Sequence, residues 1–167
     1  MRSKAETHRA IALYGDMIKR ICLVHLKNET DTEDIFQTVF LKYILSSAAF
    51  QSDEHEKAWF IRVTINCCKD VLKSFFRKNR VSLEEVAEAP AEAPEDYSEV
   101  MEAVLSLPDQ YKDVVYLYYY EEYSAEEISR VLNKNVNTVY TWLRRGRLML
   151  REKLGGNESE EQDSGRF

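Results

Sequence analysis

From Thr7 onward, apolar residues recur every three or four positions. Ile11, Tyr14, Ile18, Ile21 and Cys22 share one face of a helix that this spacing carries to about Lys27. His25 sits on the same face, where a core or boundary role fits it better than ligation. Asn28-Glu-Thr-Asp31 breaks the pattern. It resumes with Ile35, Phe36, Val39, Phe40, Tyr43 and Ile44, predicting a second helix from about Thr32 to Leu45 whose early acids suit the helix dipole. Ser46 to Glu56 is polar apart from Ala48, Ala49 and Phe50, and reads as a loop holding one anchored aromatic. A third helix is expected from about Glu56 to Lys78. Its first half, Ala58 to Ile65, is dense with bulky residues, and its second, Lys69 to Arg80, sets aromatics among cations. Aromatics beside cations suit unstacked nucleic acid; a core helix with a solvated cationic side explains them as well.

Residues 81–97 change character. Two prolines, many carboxylates and few bulky apolar groups make this an extended linker. It separates residues 1–80 from residues 98–154, and neither part is large enough to bury a generous core alone. After the linker the pattern predicts helices at about Ser98–Leu105 and Asp109–Tyr120. The aromatic run Tyr116, Tyr118, Tyr119, Tyr120 and Tyr123 suits a small helical core with some hydroxyls at its surface, or a stacking platform. Ser124 then starts a further helix, with Glu127 three residues on in the capping-box pattern and Ile128, Val131 and Leu132 as its apolar stripe. Asn133-Lys-Asn135 has a turn composition. The last helix is expected from near Asn137, with Val139, Leu143, Gly146, Leu150 and Leu154 on its buried face and Tyr140, Thr141, Arg144 and Arg147 largely elsewhere. A short helix bracing a longer cationic one is a helix-turn-helix, which enters a DNA major groove. An ordinary helical hairpin with a basic face has the same pattern. Residues 155–167 read as a disordered tail.

Composition agrees with an all-α protein: 44% hydrophobic and 31% charged, with five Gly and three Pro in 167 residues. No apolar run reaches the roughly 18 residues of a membrane span, and the N-terminus lacks the apolar core of a signal peptide, so a cytoplasmic location without membrane insertion is expected. Cys22, Cys67 and Cys68 form no spaced framework; reduced, buried thiols are expected, with no metal and no cofactor. The net charge of −6 argues at first against nucleic acid. Its distribution reverses that. Residues 1–80 carry 14 Lys/Arg against 10 Asp/Glu, residues 81–100 none against seven, residues 101–154 eight of each, and residues 155–167 one against four. Local clusters at 69–80 and 144–153 set the field a nucleic acid meets. No Gly-rich phosphate loop, spaced metal set or nucleophile elbow suggests an enzyme.

Four segments in order carry a family resemblance. Residues 7–154 resemble the bacterial RNA polymerase sigma factors of the extracytoplasmic-function (ECF) group, in the sigma-70 family. Asp31-Thr-Glu-Asp-Ile-Phe-Gln-Thr-Val-Phe-Leu-Lys42 is similar to the family's polymerase-clamp-binding helix. Trp59-Phe-Ile-Arg-Val-Thr-Ile-Asn66, followed by Asp70, is similar to its promoter-melting and minus-10-reading segment. Leu107-Pro-Asp-Gln-Tyr-Lys-Asp-Val-Val-Tyr-Leu117 resembles the opening of its second domain, and Glu127-Ile128, Thr138-Val139 and Arg145-Gly-Arg147 its minus-35-reading helix-turn-helix.

The resemblance implies a non-catalytic specificity subunit of core RNA polymerase, binding the clamp of the largest subunit and the flap of the second-largest, together with promoter DNA and an anti-sigma factor. Asp31, Glu33, Asp34, Gln37 and Phe40 would face polymerase. Phe50, Gln51, Trp59, Arg62, Asn66, Lys69, Lys73 and Arg77 would serve minus-10 DNA, with one base flipped out of its stack. Asn137, Thr138, Tyr140, Thr141, Arg144, Arg145 and Arg147 would serve minus-35 DNA, Arg145 and Arg147 as backbone contacts. The acidic linker would thread near the RNA exit path. Asn66 is an amide in an apolar helix, which a base edge or a core hydrogen bond would explain. Asn133 stands where the family often has Gly, Lys134 where an apolar residue is usual, and Trp142 and Tyr140 where small or basic residues are common. A stand-alone helix-turn-helix regulator is the alternative, but it leaves the acidic second helix and the aromatic-basic third helix without a role.

Overall fold

The computed structural model describes residues 1–26, 28–79 and 99–155, with the side chains of residues 75, 76, 78 and 79 left aside. Every regular element among them is an α-helix. The chain divides into two compact units, Met1–Ala93 and Pro94–Phe167. The expected linker at 81–97 and the tail beyond Gly155 lie outside the described residues.

The first unit holds α1 (Lys4–Leu26), α2 (Glu29–Leu45) and α3 (Asp53–Asn79). All three begin earlier than apolar spacing predicts, because polar caps rather than core residues start them. At α1, Ser3 Oγ accepts from the Glu6 N–H while the Glu6 carboxylate accepts from the Ser3 N–H, a reciprocal capping box. At α2, the Asn28 side chain accepts from the Asp31 N–H, so Asn28-Glu-Thr-Asp31 is a cap and first turn rather than a break. At α3, Ser52 Oγ accepts from the His55 N–H.

Phe60 is the centre of the core. It is fully buried, with the rings of Tyr14, Phe40 and Tyr43 at 4.9, 5.4 and 4.9 Å. Ile18, Ile21, Val39 and Ile61 are among the other buried side chains, each contributing about 1.5–3 kcal/mol on burial. His25 is buried with them. Cys22 and Cys68 bring their sulfurs to 4.0 Å across α1 and α3, twice a disulfide bond length of about 2 Å, so both are packed thiols, as is buried Cys67.

Among the described residues of this unit, one charged side chain is buried. Glu56, on α3, is buried and takes hydrogen bonds from Tyr43 of α2 at 2.7 Å and from Tyr14 and Arg9 of α1 at 3.0 Å each. Burial pushes its carboxyl up, but the bonds from Tyr43, Arg9 and Tyr14 outweigh that and hold it below the ordinary carboxylate range. Burial, then the Glu56 bond, pushes the Tyr43 phenol up to about 12.

The second unit holds α4 (Glu99–Leu105), α5 (Asp109–Tyr119), α6 (Ala125–Leu132) and α7 (Val136–Lys153). Its core is Val104, Val114, Val115, Leu117, Ile128, Val139 and Leu143, all essentially solvent-free. The tyrosine run splits: Tyr116 and Tyr123 are buried, while Tyr119 and Tyr120 are exposed. The buried face of α7 is shorter than its apolar spacing suggests. Val139, Leu143 and Gly146 are buried, Leu150 is half-buried and Leu154 is exposed. Gly146 marks the tightest approach: a Cβ there would lie 2.8 Å from Val115 Cγ2 and 3.4 Å from Tyr111 Cβ of α5.

Candidate nucleic-acid and polymerase interfaces

The helix-turn-helix is built by three Asn and Ser side chains. Ser124 adopts extended backbone and accepts from the Glu127 N–H at 3.1 Å, starting α6. Asn133 ends α6 in the left-handed region (φ 53°, ψ 51°), which Asn tolerates better than other non-glycine residues. Asn135 then caps α7 by accepting from the Asn137 N–H at 2.8 Å. Lys134 is exposed, so a cation at that turn position has no burial cost.

With Val139, Leu143 and Gly146 turned inward, Asn137, Arg144 and Arg145 are exposed and Thr138, Tyr140, Thr141 and Arg147 half-buried. Several of these are already engaged within the unit. The Tyr140 hydroxyl donates to Glu126 Oε1 of α6 at 2.7 Å, and the Thr141 hydroxyl to the Asn137 carbonyl at 2.9 Å. The Tyr140 bond raises the phenol and lowers the Glu126 carboxyl. Arg145 turns toward α5: hydrogen bonding with Gln110 and then with Arg145 holds the Tyr111 phenol below its ordinary value.

On α3, Arg62, Asn66, Lys69, Lys73 and Arg77 follow one another at steps of four, three, four and four, which aligns them on one stripe. Lys69 is half-buried and the other four are exposed. The stripe runs about 22 Å along the helix. Because Asn66 faces solvent, a core hydrogen bond does not account for its amide. Trp59, half-buried, stands one turn before Arg62.

Ahead of the stripe, the Ser46–Ser52 loop is anchored by Phe50. Its ring stacks on Tyr43 at 6.4 Å and meets Trp59 and His55 edge-on at 5.9 and 5.5 Å. Gln51 is exposed, its N–H donating to His55 Nδ1 at 3.2 Å. Beside the loop is a cleft of about 340 Å³ lined by Phe50, Gln51 and Tyr43 and, from the start of α1 and the turn before it, by Arg2, Glu6 and Arg9. The sequence gives no signal for the last three beyond the capping box at Ser3, since their place depends on how α1 meets the α2–α3 loop.

On α2, Glu33, Asp34 and Gln37 are exposed and Asp31 is half-buried. Phe40 departs from expectation: it is buried against Phe36 at 4.8 Å and Phe60 at 5.4 Å, so it belongs to the core and not to a polymerase-facing surface. Two residues not singled out from the sequence, Leu41 and Leu45, are 56% and 65% exposed and continue the stripe of Asp34 and Gln37 by helical steps. Apolar type alone does not separate Phe40 from Leu41 and Leu45; burial does.

Comparison with known proteins fits this arrangement. The family model described as Sigma-70 region 2 matches residues 10–80, and that described as Sigma-70, region 4 matches residues 97–150. RNA polymerase sigma factor SigV of Bacillus subtilis is 30% identical over 81% of this chain and 82% of its own length. ECF RNA polymerase sigma factor SigW of the same organism is 30% identical over 86% of each. Among solved structures, the sigma factor RpoE bound to the anti-sigma factor NepR from Bartonella quintana has a similar fold, with a TM-score of 0.69 and 17% identity over 92% of this chain and 99% of that one. CnrH, in complex with the cytosolic domain of CnrY, gives 0.65 and 20% over 93% and 92%. The chain belongs to the sigma-70 family of RNA polymerase sigma factors, in its ECF-type group. It is therefore a transcription initiation factor rather than an enzyme, and the reading as a stand-alone regulator is set aside. Among the described residues, no helix is long and apolar enough to cross a membrane and no group of His, Cys, Asp and Glu could hold a metal ion.

Proposed function

We propose a division of labour for this sigma factor in promoter-specific initiation with core RNA polymerase. The exposed ridge of α2, from Asp31 and Glu33 through Asp34 and Gln37 to Leu41 and Leu45, docks on the clamp of the largest polymerase subunit. Carboxylates steer the encounter, and the two leucines supply apolar area at its C-terminal end. The α3 stripe follows the backbone of the separated minus-10 strand, Trp59 stacks, and the Phe50–Gln51 loop holds an unstacked base. In the second unit, Asn137, Tyr140, Thr141 and Arg144 face minus-35 base edges, while Thr138, Arg145 and Arg147 set register on the phosphates, and the same unit meets the flap of the second-largest subunit.

The observation that carries this reading is the α3 stripe. Four cations and one amide are aligned on one line of α3, four of the five side chains exposed, and their spacing suits a polyanion. An anti-sigma partner is part of the proposal; the RpoE structure was solved with the anti-sigma factor NepR and the CnrH structure with the cytosolic domain of CnrY, and the same exposed helix faces offer such a partner a surface.

Reconstituting the chain with core polymerase, mapping transcription starts and footprinting the promoter tests the assignment. Protection of both a minus-35 and a minus-10 element, with reactive unpaired bases only near minus-10, is expected. Protection of minus-35 and minus-10 by the second unit alone would overturn it.

A further inference from the structure

The segment before α1 lies outside the region-2 match, which begins at residue 10, yet it makes a wall of the cleft beside the Phe50 loop. Arg2 makes the closest connection. Its N–H donates to the Ile44 carbonyl at 2.9 Å, and its guanidinium donates to the Ala48 carbonyl. The same guanidinium lies 5.0 Å from the Tyr43 ring centroid and 5.1 Å from that of Phe50. Arg2 therefore fastens the end of α2, the loop backbone and the loop's anchoring aromatic at once. Arg2 Nε is buried and makes no hydrogen bond.

The walls also say what kind of group the cleft takes. Glu6, Asp53 and Glu56 line it together with Arg2 and Arg9, and Arg9 is committed to Asp53 at 2.6 Å and Glu56 at 3.0 Å. Three carboxylates repel a phosphate. A neutral heteroaromatic ring bearing both donors and acceptors meets complementary groups there, and the volume is at the lower end of the roughly 300–1,000 Å³ of small-ligand pockets.

We propose that Arg2 is a positioning residue for capture of a single unstacked base, holding Phe50 and Gln51 in the geometry that receives it. This rests on the proposed role of the Phe50–Gln51 loop. Arg2 clamps through a planar fork stacked on two rings, a geometry that lysine's point charge does not reproduce.

The test uses holoenzyme assembled from core polymerase and full-length chain, and single-stranded non-template DNA from its mapped minus-10 element. Each nucleotide is replaced in turn by an abasic one. Wild-type holoenzyme is expected to lose about tenfold in affinity at one position, the effect of a lost base–aromatic contact. In Arg2→Ala and Arg2→Lys the intact strand should bind about tenfold more weakly, and the abasic substitution at that position should have no further effect. Core-polymerase affinity and Tm should match wild type. If wild type shows no sensitive position, loop capture and the role of Arg2 both fall. If the sensitive position persists at full size in both variants, Arg2 has no positioning role and loop capture stands. A common loss of Tm and polymerase binding would make Arg2 a folding residue and overturn the proposal.

Discussion

The hydroxyl of Tyr140, on the outward side of α7, donates to Oε1 of Glu126 on the preceding helix at 2.7 Å. The bond fixes where the Tyr140 ring stands, and it leaves a carboxylate beside the residues proposed to read DNA. Glu126→Ala is expected to leave polymerase binding unchanged while altering base preference at one minus-35 position by about 1–3 kcal/mol. Selection from a promoter library randomised across minus-35 reads this out. A uniform change across all positions would mean that Glu126 acts only through its charge.

Glu56 makes the first unit sensitive to acid. Its folded carboxyl lies below the ordinary value, so the folded state binds its proton less readily than the unfolded chain does. The stabilisation it contributes is full above the unfolded pKa of about 4.3 and is lost as pH falls through the lower folded value. Tyr43, raised to about 12, acts at the other end: its contribution is full below the unfolded value of about 10 and is lost as pH rises through 12. Glu56→Gln should lower stability at neutral pH by about 1–3 kcal/mol and flatten the acid limb, as measured by urea unfolding from pH 3 to about 7.

Gly146→Ala tests the approach of α7 to α5. Helix propensity favours alanine by about 1 kcal/mol, but the new Cβ at 2.8 Å from Val115 Cγ2 forces a shift that costs about 1–3 kcal/mol. Net destabilisation is expected. Val115→Ala in the same chain removes the clashing methyl, so the double variant should be more stable than the two single effects summed.

Phe40 and its neighbours on α2 separate folding from binding. Phe40→Ala should cost about 3–5 kcal/mol of stability, as a buried aromatic does. Leu41→Ala with Leu45→Ala should change stability by less than about 1 kcal/mol and weaken polymerase affinity by more than about 1 kcal/mol. Titration of labelled chain into core polymerase, beside a denaturant curve, checks both. Unaltered affinity in the leucine variant would remove those residues from the docking surface.

Much of the architecture was legible as sequence. Helical periodicity located all seven helices among the described residues, and Ser124, Asn133 and Asn135 announced the helix-turn-helix through side chains whose capping chemistry is local. Helix starts were harder, since Asn28 and Ser52 extend α2 and α3 through polar residues that an apolar count skips. Burial within a stripe was harder again. Phe40 and Leu41 are adjacent and both apolar, yet one packs against Phe60 and the other faces solvent. Least visible was the cleft, because Arg2 reaches Phe50 only through the meeting of α1 with a loop more than forty residues away.

The crowding at Gly146 bears on how such a factor can be retargeted to new promoters. Val139, Leu143 and Gly146 are the buried side of α7, so substitutions at Asn137, Tyr140, Thr141 and Arg144, the positions proposed to face bases, change chemistry without moving the scaffold that presents it. A combinatorial library confined to those four positions explores new operator alphabets at little cost to folding. One that includes Gly146 spends most of its members on chains in which α7 has lost its seat against α5.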